Sequence, residues 1–376
     1  MKIIIALLGT LLLVTPAMAQ PAADAGDPRI AAFDAELQRL KREHQLPGLA
    51  VAIVEDRALL WAEGYGTSDA NHQIPVTPDT PFWIASVTKT FVGLAFLQLE
   101  AEGRIDLSDR AADTPDFTDL CTWLSGSGLP MGRGLDCAAP ITIDNVLTHQ
   151  VQGVPGTEFS YNPIVFSRLS RYLEYEMTGD IAGVKTGQNA LAQAITRTIL
   201  EPAGMGRTMA SLWDRSRPMV FFDMAEGFGV EEGQFVQRPR PGRYIAGGAG
   251  VVSTVQDLAR YDIAIDTGVI ATPQIRDRLF GPARFTDGSP SPYGYGWYSQ
   301  FLGGETAQWH GGWDPDRGFS ALYLRLPERG LSVVLLANGE GIWWDNPLDE
   351  ARVQDAPFAQ AFLRAFAPDL AAPVAD

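Results

Sequence analysis

The stretch Ser86-Val87-Thr88-Lys89 carries more chemistry than any other in this chain. It places a hydroxyl and an amine three residues apart in a segment with the pattern of a helix start. Positions i and i+3 share a helix face, so Lys89 can reach back to the Ser86 oxygen. A serine hydroxyl is a weak nucleophile until a neighbouring base takes its proton. Lysine is scarce here. The chain has Lys2, Lys41, Lys89 and Lys185, and only Lys89 has a serine three residues upstream.

Outward from this stretch, both chain ends read as strands. On the N-terminal side, Ile30 to Arg42 has helical spacing through Ile30, Phe33, Leu37 and Leu40. Leu49–Val54 and Ala58–Tyr65 then form a predicted hairpin around Glu55-Asp56-Arg57. The Ser86 helix runs to about Ala101 and stops at Gly103. Residues 104–240 are mostly loop and helix, with helical spacing at 144–148, 166–178 and 189–200. From Val251 the pattern shifts to strands around Trp309, Phe319–Leu326 and Leu331–Ala337, closed by an amphipathic helix at 356–366. Strands from both ends with helices between them imply an α/β (α+β) fold. Its antiparallel sheet is built by the termini and flanked by helices. The sheet lobe takes residues 30–103 and 241–376, and a mostly helical lobe, 104–240, is inserted. A cleft between lobes is a favoured place for a site.

The first residues read as an export signal. Lys2 precedes an apolar run, Ile3–Val14, shorter than the roughly 20 residues that span a bilayer. Ala17-Met18-Ala19 is an A-x-A cleavage pattern, so residues 1–19 are a predicted leader and the mature chain, 20–376, starts at Gln20. The expectation is a periplasmic protein with no membrane anchor after cleavage. Cys121 and Cys137 are the two cysteines of the chain. In an oxidising compartment they are a plausible disulfide pair, 16 positions apart. The formal charge of −16 disfavours nucleic acid as a partner. No H-E-x-x-H spacing supports a catalytic metal and no G-x-S-x-G supports a nucleophile elbow, so no cofactor is expected.

Further segments extend the Ser86–Lys89 signal. Leu147-Thr148-His149 leads to Pro155-Gly156-Thr157-Glu158-Phe159-Ser160-Tyr161. Ile199-Leu200-Glu201-Pro202-Ala203-Gly204-Met205 is followed by Ala246-Gly247-Gly248 and Asp257-Leu258-Ala259-Arg260. Tyr293-Gly294-Tyr295-Gly296-Trp297 precedes His310-Gly311-Gly312-Trp313. In order and spacing the set resembles the serine β-lactamase and penicillin-binding protein family, especially its class C β-lactamase, D,D-carboxypeptidase, D-aminopeptidase and esterase group. The resemblance spans about residues 30–366. It implies Ser86 as nucleophile, Lys89 and Tyr161 as proton handlers, and His310-Gly311-Gly312 in the place of the family's final K-T-G strand motif, with His310 a further catalytic residue. It also implies an oxyanion hole from the backbone N–H groups of Ser86 and Trp313. Gly311 and Gly312 are expected to let substrate lie along the strand. Lys185-Thr186-Gly187 spells K-T-G literally but sits in a turn before a helix, the wrong context.

Two departures bear on substrate. The family's Tyr-x-Asn reads Tyr161-Asn162-Pro163 here, so Pro163 replaces an amide. Asn162 is the neighbouring candidate for substrate binding. His310 stands where a lysine would supply a fixed cation, and an imidazole is mostly neutral near pH 7. Both weaken recognition of an anionic β-lactam. The expectation is an acyl-enzyme hydrolase acting on an ester, a D-aminoacyl amide or a peptide bond, with weak or no β-lactamase activity. The rivals are a non-hydrolytic acyl- or penicillin-sensing module, and a D,D-carboxypeptidase or class C-like β-lactamase. Whether Lys89 or Tyr161 is the base stays open, as does the oligomeric state. His149 is expected to orient a loop. His44 and His72 have no partner pattern. Asn338 and Asn346 follow the last strand, as surface loop residues or cleft groups.

Overall fold

The computed structural model describes residues 26–214, 216–241 and 245–372. The expected leader and cleavage point lie outside the described residues.

The hairpin forms as its sequence implies. β1 (Gly48–Glu55) and β2 (Ala58–Gly66) meet at Asp56 and Arg57, both with positive φ (48° and 64°). That turn geometry matches the twist of the strands it joins. The other strands come from the far end: β3 (Tyr298–Leu302), β4 (Glu305–Asp314), β5 (Phe319–Leu326) and β6 (Leu331–Ala337). They form one six-stranded sheet in the order β2-β1-β6-β5-β4-β3, antiparallel throughout. β1 pairs with β6, Leu49 opposite Ala337, so the chain ends close the sheet together. β5 and β6 are buried along their whole length, which explains their unbroken apolar runs.

Helices cover both faces. α1 (Pro28–Glu43) starts at Pro28 after an Asp27 cap and packs with the C-terminal helix, Pro357–Phe366. Phe33 meets Phe362 and Phe366 there, each at 5.9 Å between ring centres. On the opposite face, the helix Val255–Asp266 packs on β1, β2 and β6. The helix that follows Ser86, Thr88–Ala101, is buried from Thr88 to Leu99 and touches other helices on several sides. One apolar cluster runs from Ala50 and Val334 of the sheet to Leu173 and Ile199 of the inserted region, so both regions share a core.

The inserted region departs from its predicted helices. Residues 166–178 do not form one helix: Pro163–Phe166 is a short helix capped by Asn162, and Leu169–Thr178 follows it. The predicted 189–200 helix is α-helical only over Ala190–Ile195 and widens into a π turn at Thr196–Leu200. Phe228–Glu231 and Gln234–Gln237 form a small hairpin within a segment read as loop and helix. Its turn uses the positive φ of Glu232 and Gly233 (49° and 77°). Cys121 and Cys137 are disulfide-bonded.

Candidate active site

Ser86 sits in a single 3-10 turn, Ala85–Val87, ahead of its buried helix. Ala85, just before it, has φ 46°, a left-handed conformation rare for a residue with a Cβ. Such strain concentrates where a side chain must be presented at a sharp angle. The turn is held against β4 from both sides. Trp83 donates its indole N–H to Asp314 at the end of β4, at 3.2 Å. A Cβ on Gly312 would stand 2.4 Å from the Ile84 carbonyl. Gly312 is therefore glycine because the nucleophile turn seats on it.

β3 pairs with β4 only as far as Trp309, opposite Tyr298. Residues His310–Asp314 still pair with β5 on the other side. Among the described strands, this stretch of β4 thus has a free edge beside Ser86, where an extended chain can add as a further strand. Trp313, the second expected oxyanion donor, lies on it. A Cβ on Gly311 would stand 3.3 Å from the Trp343 ring, which would have to yield by a few tenths of an ångström. Packing against the Ile84 carbonyl requires glycine at 312; at 311 it adds a tight contact on the strand's other face.

Lys89 Nζ lies 3.1 Å from Ser86 Oγ and 3.0 Å from the Gly248 carbonyl. The amine is fully buried and stands over the rings of Tyr161 (4.8 Å) and Phe166 (5.4 Å). Burial brings its pKa down to about 7. At neutral pH a large fraction is the free amine, the form that can take the Ser86 proton. Tyr161 is driven the other way. Burial raises its pKa, and a hydrogen bond with Ser86 offsets this only in part, so the phenol keeps its proton.

Tyr161 is held by its backbone. Asp349 accepts its N–H at 2.6 Å. On either side, the Ser160 N–H goes to the His149 carbonyl at 2.9 Å and the Asn162 N–H to His149 Nδ1 at 3.0 Å. His149 reaches both with a positive φ of 55°. Its ring packs 4.4 Å from that of Tyr161, and burial holds it neutral. The loop-orienting role read from sequence thus has a geometry.

Two expected site residues are corrected, Asn162 as a substrate contact and His310 as a catalytic residue. Asn162 is fully buried and its amide is committed: the oxygen caps Val165 N–H at 3.0 Å and the nitrogen donates to the Met131 carbonyl at 2.8 Å. It has no group left for substrate. His310 is close to the site, its ring centre 6.1 Å from that of Tyr161, yet both its nitrogens are engaged. Nδ1 faces the Gly311 carbonyl at 2.7 Å, which can only accept, so Nδ1 carries the proton. Nε2 then accepts from Tyr293 at 3.0 Å. Burial and the neighbouring Lys89 lower the His310 pKa to about 3. His310 is a neutral brace under Tyr161. Its bonds leave no nitrogen for a proton relay or a substrate carboxylate.

Asn338 and Asn346 are likewise inward: Asn338 donates to the Thr67 and Glu226 carbonyls, Asn346 to those of Pro347 and Glu350. Lys185-Thr186-Gly187 ends a 3-10 turn and belongs to no strand. Sequence reasoning missed Asp349, which no local pattern ties to a tyrosine 188 positions earlier. It also missed Tyr293 as the hydroxyl that donates to His310, although the Tyr-Gly-Tyr-Gly-Trp run containing it was visible. Among the described residues, no group of three or more His, Cys, Asp or Glu side chains is arranged to hold a metal ion, and no helix is long and apolar enough to cross a membrane.

Comparison with known proteins adds to this geometry. The family model described as Beta-lactamase matches residues 33–357. A D-aminopeptidase of Gluconobacter oxydans (strain 621H) is 29% identical over 329 residues, covering 82% of this chain and 59% of the relative. A D-aminopeptidase of Brucella anthropi is 26% identical over 333 residues, with coverage of 82% and 59%. The chain thus spans about three-fifths of the length of these relatives. Among solved structures, the octameric penicillin-binding protein homologue from Pyrococcus abyssi superposes with a TM-score of 0.68 at 20% identity, over 90% of this chain and 78% of that one. FmtA from Staphylococcus aureus gives a TM-score of 0.65 at 20% identity, over 93% of each chain. These two show the shared fold.

Proposed function

The chain belongs to the Beta-lactamase family, and from that premise we propose that it is a serine hydrolase that cleaves D-aminoacyl amide or peptide bonds through an acyl-enzyme on Ser86, with Lys89 as the base. One observation carries the mechanism: a buried amine with a pKa near neutrality stands 3.1 Å from a serine hydroxyl. Free Lys89 takes the Ser86 proton as Oγ attacks the acyl carbon. The backbone N–H groups of Ser86 and Trp313 receive the oxyanion. As the intermediate collapses, the leaving amine takes a proton passed from Lys89 through the Tyr161 hydroxyl. Water then attacks the acyl-enzyme, gives up a proton to the same pair, and Ser86 leaves protonated.

The D-aminopeptidase relatives support the choice of substrate class. Simple esters should also turn over, because their leaving group departs more easily than an amine. β-Lactams should be poor substrates: neutral His310 offers no cation to their carboxylate, and Pro163 no amide. The A-x-A pattern after the apolar run Ile3–Val14, read as an export signal, favours a periplasmic location. A panel of D-alanine p-nitroanilide, its L counterpart, p-nitrophenyl acetate and nitrocefin tests the assignment, with intact-mass detection of the acyl adduct. The expected order is D over L and both acyclic classes over nitrocefin, with the adduct on Ser86 and none in Ser86→Ala. Turnover that survives Ser86→Ala, or nitrocefin as the fastest substrate, overturns it.

A further inference from the structure

Trp313 is 43% exposed at the end of a strand whose preceding residues, 307–312, are buried. Its ring is not loose. It stacks on Trp343, 5.6 Å between centres and 13° between planes. Trp343 lies over bare Gly311 and touches Trp344 at 5.1 Å, and Trp344 leans on Trp309 at 5.5 Å. Trp309, Gly311 and Trp313 alternate along β4 and share one face. His310, Gly312 and Asp314 share the other, the face on which the Ser86 turn sits. The result is an aromatic wall, anchored in the core at Trp309 and open to solvent at Trp313, beside the free catalytic edge. A fixed aromatic wall beside a reactive centre suits ligand binding.

We propose that Trp313 and Trp343 form a subsite for an aromatic or bulky apolar group of the substrate. An extended substrate that pairs with the edge at 310–314 places successive groups on alternate faces. With its scissile carbonyl held at Ser86, the group one position along falls over Trp313. Ring-on-ring contact there prefers planar or bulky apolar groups to a methyl. This proposal rests on the hydrolase reading for its substrates, and a binding measurement judges it separately.

The test uses two substrate series on the wild-type protein and on Trp343→Ala. D-Alanine methylamide against D-alanine benzylamide varies the leaving side; D-alaninamide against D-phenylalaninamide varies the acyl side. The wild type should favour the aromatic member of one series by about tenfold in kcat/KM. Trp343→Ala should erase that preference, read as the ratio between the two members of the series, while Trp343→Phe keeps most of it. The series showing the effect tells which end of the substrate lies on the wall. Independently of turnover, Ser86→Ala protein is titrated with the same aromatic ligands and followed by tryptophan emission. Saturable quenching that Trp343→Ala abolishes supports the subsite even if no amide is cleaved. Absence of an aromatic preference in both series, a preference that persists in folded Trp343→Ala, or no saturable quenching in Ser86→Ala protein overturns it.

Discussion

Replacing Lys89 by Met should make the protein more stable and inactive, and the gain should depend on pH. The amine has a pKa of about 7 in the folded protein against an ordinary 10.5. At ~1.4 kcal/mol per unit, burying the charged form costs about 5 kcal/mol. Below pH 7 the amine is charged in both states, and the folded protein bears this cost in full. Between pH 7 and 10.5 the folded amine is neutral while the unfolded chain still holds the proton. Stability contributed at this site therefore rises with pH. The remaining cost is about 2 kcal/mol at pH 9 and vanishes near the ordinary pKa. Met fills a similar volume without charge but forfeits the bonds to Ser86 and Gly248, a loss of about 1 kcal/mol each that does not vary with pH. The advantage of Lys89→Met over wild type should thus be about 3 kcal/mol larger at pH 6 than at pH 9. The groups that feel Lys89 most are His149 and His310; its charge is the second cause of their lowered pKa after burial, and burial, the larger cause, acts in both proteins. His149 and His310 are held neutral by burial, and Tyr161 is held protonated. Urea unfolding of both proteins at pH 6, 7.5 and 9 measures the difference. In wild type, kcat/KM should rise with pH through a midpoint near 7, and the variant should lose about 10²–10⁴ of it. A stability difference that is flat across this range, or an activity limb centred above pH 9, would refute Lys89 as a neutral base.

Gly312→Ala puts a Cβ 2.4 Å from the Ile84 carbonyl and must push the nucleophile turn off β4; kcat should fall about 10²-fold, the scale for a small misplacement of a reacting group, with KM and kcat read by steady-state kinetics. Asp349→Ala removes the acceptor of the Tyr161 N–H, and it should lower kcat by about tenfold, in proportion to one charge-assisted hydrogen bond, while Asp349→Asn keeps an acceptor and recovers most of the rate. Double replacement of Cys121 and Cys137 by Ser opens a 16-residue separation and should cost about 3 kcal/mol in denaturant unfolding, with active-site acylation of the folded fraction unchanged.

The sequence by itself determined the N-terminal hairpin, the late strands β5 and β6 and the closeness of Ser86 and Lys89. Ser86 and Lys89 are three residues apart on one turn, so their meeting at 3.1 Å is a local consequence of helix geometry. The hairpin turn at Asp56-Arg57 and the apolar runs of β5 and β6 are equally local, since strand burial is written in their composition. The split of residues 163–178 was not visible, because apolar spacing runs on through a cap and turn that only Asn162 and its buried partners enforce. What the tertiary structure decided is the state of each group in the site. Lys89 becomes a candidate base because distant segments bury it, and no short-range pattern records that desolvation. On their motif positions His310 looked catalytic and Asn162 looked like a substrate contact, yet Tyr293, Gly311, Met131 and Val165 occupy their hydrogen-bonding atoms first. Asp349 reaches Tyr161, and Trp343 reaches Gly311, because the chain ends share one sheet. Contacts across such separations follow from the packing of the whole fold, so they could be read only once β1 and β6 lay side by side.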